Sequence, residues 1–141
     1  MASQNARPAG GFREVEHTAD WALEVWAPSL EALLEQAARG MYALAKTRLK
    51  PEPRVSRAFT LPFEDPETLL VDFLNELLYL EEVEGLGFDT FHLRLQNGEL
   101  KVQVEGAPIE RMEKLIKAAT FHNLRIEQRP EGWWATVVFD V

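Results

Sequence analysis

The hydrophobic positions in the first third of the chain predict two short strands followed by a helix. Residues 12–17 and 21–27 each fit a strand, and the second strand alternates in a way that gives it one apolar face. The helix begins at Pro28-Ser29, where Ser29 is a suitable N-cap. Gly40 lies within this helix, and we expect it to allow close packing. The apolar stripe at helical spacing comprises Leu30, Leu33, Leu34, Ala37, Met41 and Leu44.

A second helix is predicted after a strand at residues 55–61. Asp65 is a candidate N-cap, Pro66 suits the first helical position, and Glu67 complements the helix dipole. The predicted buried face consists of Leu69, Leu70, Phe73, Leu74, Leu77 and Leu78. The opposite face carries Asp72, Asn75, Glu76 and Tyr79.

The rest of the chain predicts strands. Alternating residues flank Asn97-Gly98, a pair that is a strong signal for a two-residue hairpin. Further strands are predicted at residues 114–120, 124–128 and 133–140. Two helices with a larger number of hairpin-linked strands indicate an α+β fold. We expect a single-domain two-layer sandwich with a mixed, mostly antiparallel sheet and two main helices on one face.

The composition restricts the class of protein. A chain of 141 residues with 46% hydrophobic residues is typical of one globular domain. The sequence contains no run of about 18 apolar residues, so no membrane span is predicted. Residues 1–11 lack the apolar core of a secretory signal, so we interpret them as a flexible lead-in to a domain at 12–141. Because the chain has no cysteine, disulfides and thiolate-ligated zinc are excluded. We expect a cytoplasmic protein.

The charge argues against one class of partner. The net charge is -8 and the sequence contains no basic run, whereas phosphate backbones favour clustered Lys and Arg. We therefore expect no tight direct binding of nucleic acid. An acidic protein is better suited to contact the basic surface of an enzyme, where complementary charge speeds encounter.

Two carboxylates at opposite ends of the chain stand in unusual settings. Asp20 closes the segment Glu16-His17-Thr18-Ala19-Asp20, and Asp140 follows an apolar strand. Converging Asp oxygens bind hard cations such as Ca²⁺ or Mg²⁺. Two carboxylates supply fewer than the roughly six to eight oxygens of a Ca²⁺ site, so backbone carbonyls, water or a partner must complete it. From these residues alone, a solvated strand end remains the other interpretation.

The order of several segments resembles the archease family over residues 12–141. The resemblance rests on Glu16-His17-Thr18-Ala19-Asp20 and Ala37-Ala38-Arg39-Gly40-Met41. It also rests on residues 69–79 (LLVDFLNELLY), on Ile116-Lys117-Ala118-Ala119-Thr120-Phe121-His122 and on Val138-Phe139-Asp140-Val141. Archeases assist the RNA-splicing ligase that joins a 3′-phosphate or cyclic phosphate end to a 5′-hydroxyl end.

The resemblance implies a metal-binding accessory protein that is not itself an enzyme. It implies that this protein promotes guanylylation of a GTP- and Mn²⁺-dependent tRNA ligase and supports its multiple turnover in tRNA splicing and RNA repair. It also implies that Asp20, Asp140 and the main chain of Val141 bind a divalent metal, usually Ca²⁺, with Mg²⁺ or Mn²⁺ as alternatives. Lys117 matches the lysine that matters for ligase activation in the family. The chain has no Gly-rich phosphate loop, so the GTP would be held by the ligase.

Other polar residues have both a structural and a functional interpretation. We expect His17 and His122 to be packed or hydrogen-bonded, with support of the metal ligands as the alternative role. Lys117 is either an exposed strand lysine or a cation that meets a partner. Asp72 and Glu76 lie one helical turn apart, and form either a solvated face or a docking face for a basic patch.

Two alternative functions remain open. One is a chaperone or specificity modulator of another RNA-modifying enzyme. The other is a small metal-dependent hydrolase that uses Asp20 and Asp140 as ligands. A hydrolase needs a general base, and His17 is the only clear candidate in the sequence.

Overall fold

A computed structural model of the chain describes residues 10–15 and 21–141. The strands within this part are β1 (Gly11–Val15), β2 (Trp21–Ala27), β3 (Arg48–Leu49), β4 (Val55–Pro62), β5 (Leu86–Gln96), β6 (Glu99–Arg111), β7 (Ala118–Arg129) and β8 (Gly132–Asp140). The helices are α1 (Leu30–Leu44) and α2 (Pro66–Glu84). The α+β class expected from the sequence is confirmed.

The strands form two sheets. The first has the order β1-β2-β8-β7, so β8, the last strand, lies between β2 and β7. In the second sheet, β6 pairs with β3, β4 and β5. Every strand pair in the described ranges is antiparallel, which confirms the antiparallel majority. The parallel pairs that we also expected do not occur among these strands. Strands β4 and β5, which α2 joins, run in the same direction, but both pair with β6 instead of with each other.

Both helices begin at the caps that the sequence predicts. The Ser29 side chain accepts a hydrogen bond from the Ala32 N–H at 3.1 Å. Asp65 Oδ1 accepts one from the Thr68 N–H at 2.8 Å, and Pro66 occupies the first turn. These bonds satisfy N–H groups that have no partner inside a helix.

The helices contact both sheets instead of covering one face of a single sheet. The α1 helix packs on β1, β2 and β8 of the first sheet and on β5 of the second. The α2 helix packs on β7 of the first sheet and on β4 and β5 of the second. The core between them is apolar, and its largest fully buried side chains include Phe73, Phe139, Leu23, Leu33, Leu34 and Met41. Burial of this surface is the main favourable term in folding.

The strands at the C-terminal end differ in extent from the prediction. The hairpin at Asn97-Gly98 is present, and both residues have the positive φ that a tight hairpin turn requires. The predicted strand at 114–120 begins only at Ala118. Residues 118–129 then form one strand whose register shifts between Thr120 and Arg125, where Asn123 has a φ of 53°.

The described helices are too short or too polar to cross a bilayer. Strand β1 begins at Gly11, at the end of the segment that we interpret as a lead-in. The domain at 12–141 and the lead-in before it stay predictions.

Candidate functional site

The end of β8 lies beside the start of β2 and the segment that enters β7. Phe139 pairs with Trp21, and Asp140 pairs with Ala118. The Lys117 N–H donates a hydrogen bond to the Asp140 carbonyl at 2.8 Å. The backbones of Lys117 and Asp140, which lie in separate sequence motifs, are therefore in direct contact.

Asp20 and His17 lie outside the described residues, so their predicted roles are not tested. Asp20 immediately precedes Trp21, the first residue of β2. The β2–β8 register places Trp21 opposite Phe139, next to Asp140. The approach of Asp20 to Asp140 stays a prediction.

The Asp140 carboxylate is available to a ligand within the described part of the chain. Asp140 is exposed at the strand end, and no side chain in residues 10–15 and 21–141 forms an ion pair with it. Val141 is half-buried and packs against the core. Those same ranges contain no group of three or more His, Asp and Glu side chains arranged as metal ligands. The donor set that Asp140 can offer consists of oxygen atoms, which suit a hard cation.

Lys117 is exposed at the end of an anchored connection, not within a strand. The N–H groups of Glu113 and Lys114 donate to the Ala45 carbonyl at 2.9 and 3.2 Å. Ile116 is buried in the core. These contacts fix the backbone that precedes Lys117, while the Lys117 side chain is exposed.

Lys114 makes a second connection between this segment and β2. Its ammonium lies 4.5 Å from the centroid of the Trp21 ring. This cation–π contact stabilises the approach of the segment to the start of β2. It places the positive charge of Lys114 beside the residue that follows Asp20.

Asn75 attaches the acidic face of α2 to the same region, a role that the sequence pattern did not reveal. Asn75 Oδ1 accepts from the Ala119 N–H at 2.8 Å, and Asn75 Nδ2 donates to the Ala119 carbonyl at 3.1 Å. We call this two-bond contact the Asn75–Ala119 clamp. It satisfies main-chain groups of β7, the edge strand of the first sheet. The only hint in the sequence was that Asn75, a neutral amide, lies between the acidic Asp72 and Glu76 on the helix face that was expected to contact solvent.

The clamp brings the predicted docking face near the candidate site. Glu76 is adjacent to Asn75 and half-buried, and Asp72 lies about one turn earlier and is exposed. Ala119 is two residues from Lys117. The structure therefore places the α2 face beside the strand entry that contacts Asp140.

Large apolar side chains are exposed around this region. Leu115 is 60% exposed two residues before Lys117, and Phe121 is 57% exposed two residues after Ala119. Tyr79, one helical turn beyond Asn75, is 55% exposed. Exposed aromatic and aliphatic side chains next to charged groups are typical of protein-binding surfaces.

His122 is not brought to the Asp140 end of β8. It lies in the irregular part of β7, beyond the pair formed by Thr120 and Val138. Its N–H donates to Thr120 Oγ1 at 3.3 Å, and its ring lies 3.3 Å from the Asn123 amide. These contacts agree with the hydrogen-bonded interpretation of His122, and its support of a metal ligand stays a prediction.

The sequence of the domain matches a known protein family. Residues 12–141 match the Archease protein family (MTH1598/TM1083). The chain belongs to the archease family. Proteins named archease include one from Thermococcus gammatolerans, 35% identical over 131 residues that cover 87% of this chain and 92% of the relative. Another, from Methanosarcina barkeri, is 34% identical over the full length of both chains.

Solved archease-like structures agree with the fold. A crystal structure from Thermotoga maritima, described as an archease and possible chaperone, has a TM-score of 0.68 and 31% sequence identity. The match covers 92% of this chain and 96% of that one. The solution structure of protein 1598 from Methanobacterium thermoautotrophicum has a TM-score of 0.68 at 25% identity, and the match covers 93% of this chain and 99% of that one.

Proposed function

We propose that this protein is a metal-binding accessory protein that activates a GTP-dependent RNA-splicing ligase. It promotes ligase guanylylation and multiple turnover in tRNA splicing and RNA repair, without catalysing a reaction of its own. The observation that carries the proposal is the hydrogen bond from Lys117 to Asp140, which joins two motifs of the archease family at one exposed end of the first sheet. Family membership supports the general role of an accessory protein.

Asp20, Asp140 and the main chain of Val141 would hold the metal, most simply Ca²⁺. The metal would supply a positive centre for oxygen ligands of the partner. The exposed Asp140 carboxylate lies at the end of β8, where the β2–β8 pairing fixes the backbone. A site of few protein ligands keeps positions open, which suits engagement of a partner.

Lys117 would meet an acidic or phosphate group at the ligase active site. Its backbone is fixed by the bond to Asp140 and by the burial of Ile116, so the ammonium projects from a defined position. Because the backbone at Lys117 is already fixed, less conformational entropy is lost when the side chain binds a partner. Asp72 and Glu76 would contact basic residues of the ligase, and the exposed Leu115, Tyr79 and Phe121 would supply apolar contact area.

The metal part of the proposal is tested by calorimetric titration with CaCl₂. We expect Asp20→Asn and Asp140→Asn to weaken Ca²⁺ binding by at least about tenfold, because each removes a charged ligand. Glu64→Gln removes an exposed carboxylate elsewhere and should bind Ca²⁺ as the unmodified protein does. Equal affinity in all three variants would exclude this ligand set.

The partner part is tested by ligase stimulation with Lys117→Ala. We expect this variant to lose most of the stimulation while it retains Ca²⁺ binding, because its backbone hydrogen bond to Asp140 does not need the side chain. Lys50→Ala is a matched control, since Lys50 is an exposed lysine outside this region. Full stimulation by the Lys117 variant would show that the ammonium has no part in activation.

The same assay separates the alternative functions. A small hydrolase predicts metal-dependent turnover of RNA ends by this protein without ligase. A general chaperone predicts protection of unrelated proteins that is independent of Asp140 and Lys117. The proposed activator predicts neither result.

A further inference from the structure

A second polar surface lies on the outer face of the other sheet, away from the residues discussed above. An open cavity of about 510 Å³ is lined by residues of β4, β5 and β6. This volume is within the range of small-molecule sites, about 300–1,000 Å³. The surface is independent of the proposed ligase activation.

The strand register arranges the outward side chains of this cavity in two rows. In one row Lys101 is paired with Thr60 on β4 and with Arg94 on β5. The second row consists of Ala58, Gln103 and His92. All six residues are exposed on the same face. We call this set of six residues the β6 face.

The two cations of the β6 face, Arg94 and Lys101, lie directly opposite each other on paired strands. Like charges at paired positions of neighbouring strands are destabilising. No carboxylate in the described ranges forms an ion pair with Lys101 or Arg94. By contrast, most arginines in those ranges are ion-paired, namely Arg13, Arg39, Arg54, Arg57, Arg111, Arg125 and Arg129. Among the arginines of the described ranges, Arg48 and Arg94 are the two without an ion pair.

Carboxylates at both ends of the β6 face limit the size of an anionic ligand that it can bind. Glu99 lies two residues before Lys101, and Glu105 lies two residues after Gln103, on the same side of β6. Glu105 is also within 3.7 Å of Arg54. A polyanion that runs along β6 would meet these carboxylates. The surface therefore suits a compact anion that spans the two rows.

The available donors define the chemistry. Arg94 and Lys101 supply charged N–H groups, and the Thr60 hydroxyl and Gln103 amide supply neutral donors. The apolar side chains of the cavity belong to the opposite, core-facing side, where Val102 is buried and Phe59 and Leu93 pack on the core. The β6 face has no Phe, Tyr or Trp side chain, and its one ring is the imidazole of His92. Tetrahedral oxyanions with several acceptors match this set.

We propose that the β6 face binds a compact phosphate group, with Arg94 and Lys101 as its main contacts. The phosphate is either free or the terminal phosphate of a larger ligand, since both present the same oxygens. Binding would offset the repulsion between the two cations. It would also explain why no carboxylate of the described chain occupies this position.

The direct test is an NMR titration of the full chain with sodium pyrophosphate at constant ionic strength. We expect saturable shifts of amide signals centred on Arg94, Lys101 and Gln103. The double variant Arg94→Gln/Lys101→Gln should weaken the apparent affinity by at least about tenfold. The control Arg48→Gln/Lys50→Gln removes two unpaired cations on and beside β3 and should bind normally. Absence of saturable shifts, shifts centred elsewhere, or unchanged affinity in the first double variant would overturn the proposal.

A second titration distinguishes the source of the phosphate. Binding of a 5′-phosphorylated dinucleotide, without binding of its unphosphorylated form, assigns the site to a terminal phosphate. Binding of pyrophosphate alone assigns it to a free phosphate. Equal binding of the unphosphorylated form would contradict a compact phosphate site, because its only anionic group is the diester backbone.

Thermal unfolding provides a measurement that does not depend on NMR shifts. In chloride buffer, Arg94→Gln should raise Tm because it removes the repulsion with Lys101. Pyrophosphate should raise the Tm of the unmodified protein and leave the variant unchanged, because a ligand stabilises only a folded state that binds it. An equal pyrophosphate effect on both proteins would contradict the proposal.

Discussion

The Asn75 side chain forms two hydrogen bonds with the main chain of Ala119, accepting from its N–H and donating to its carbonyl. The amide thus takes the position that a neighbouring strand would occupy at the edge of the first sheet. It couples α2, with Asp72 and Glu76, to the strand that follows Lys117. The geometry of the candidate site depends on a residue that contacts neither metal nor partner in our account.

We expect Asn75→Ala to lower the free energy of unfolding by about 1–3 kcal/mol. The change removes two hydrogen bonds and leaves partly buried main-chain groups of Ala119 without their partner. Urea denaturation measures the loss. Asp72→Ala, one turn away and exposed, should change stability by less than about 0.5 kcal/mol. Equal stability of the two variants would show that the clamp contributes little.

Glu81 predicts a pH dependence of stability. Burial raises the pKa of Glu81 from 4.5 to about 7. Burial, together with the negative charge of Glu81, raises the pKa of Tyr42. The folded state therefore disfavours the Glu81 carboxylate. This contribution to stability is full below about pH 4.5 and is lost as the pH rises through about 7.

We expect Glu81→Gln to be more stable than the unmodified protein at pH 8 by about 1 kcal/mol, after allowance for solvent screening of a half-buried carboxylate. At pH 4 the difference should be small because the native carboxyl is protonated. Urea denaturation at both pH values measures it. A difference that stays constant with pH would mean that Glu81 titrates normally in the folded protein.

Gly40 is expected to resist substitution. A Cβ at this position would lie 2.8 Å from Leu23 Cδ1 and 2.8 Å from Phe12 Cγ, both closer than normal contact. Gly40→Ala should therefore destabilise the protein by about 1–3 kcal/mol, although alanine is the better helix former. Thermal unfolding measures the change. Stabilisation by about 1 kcal/mol, as in an exposed helix, would contradict close packing of α1 on β1 and β2.

Local signals predicted the local structure well. Ser29, Asp65 and the Asn97-Gly98 turn each carry their own structural preference, so caps and hairpin followed from short segments. The division into two sheets did not follow, because it depends on long-range pairing between β2 and β8. Strand β3 was missed because two residues give no periodicity.

The candidate site could be predicted only in part. Asp140 was a candidate from its position at the end of an apolar strand, and the family resemblance added Val141 and the role of Lys117. The contact between Lys117 and Asp140 required the structure. Helical spacing placed Asn75 on the face opposite the apolar stripe, so it was expected to contact solvent. The spacing does not show that the edge strand β7 lies against this face and bonds to Asn75. The cation–π contact between Lys114 and Trp21 depends on tertiary packing, so no local sequence pattern predicts it.

Activation of the ligase would be measured as guanylylation of a cognate RNA-splicing ligase with GTP and Mn²⁺, with this protein present at about one molecule per twenty ligases. We expect many ligase molecules to become guanylylated for each molecule of this protein added. A variant that carries both Lys117→Ala and Asp140→Asn should lose this effect. If the unmodified protein does not accelerate guanylylation, or if the double variant stimulates as strongly, the proposed activation by the Lys117–Asp140 region is contradicted.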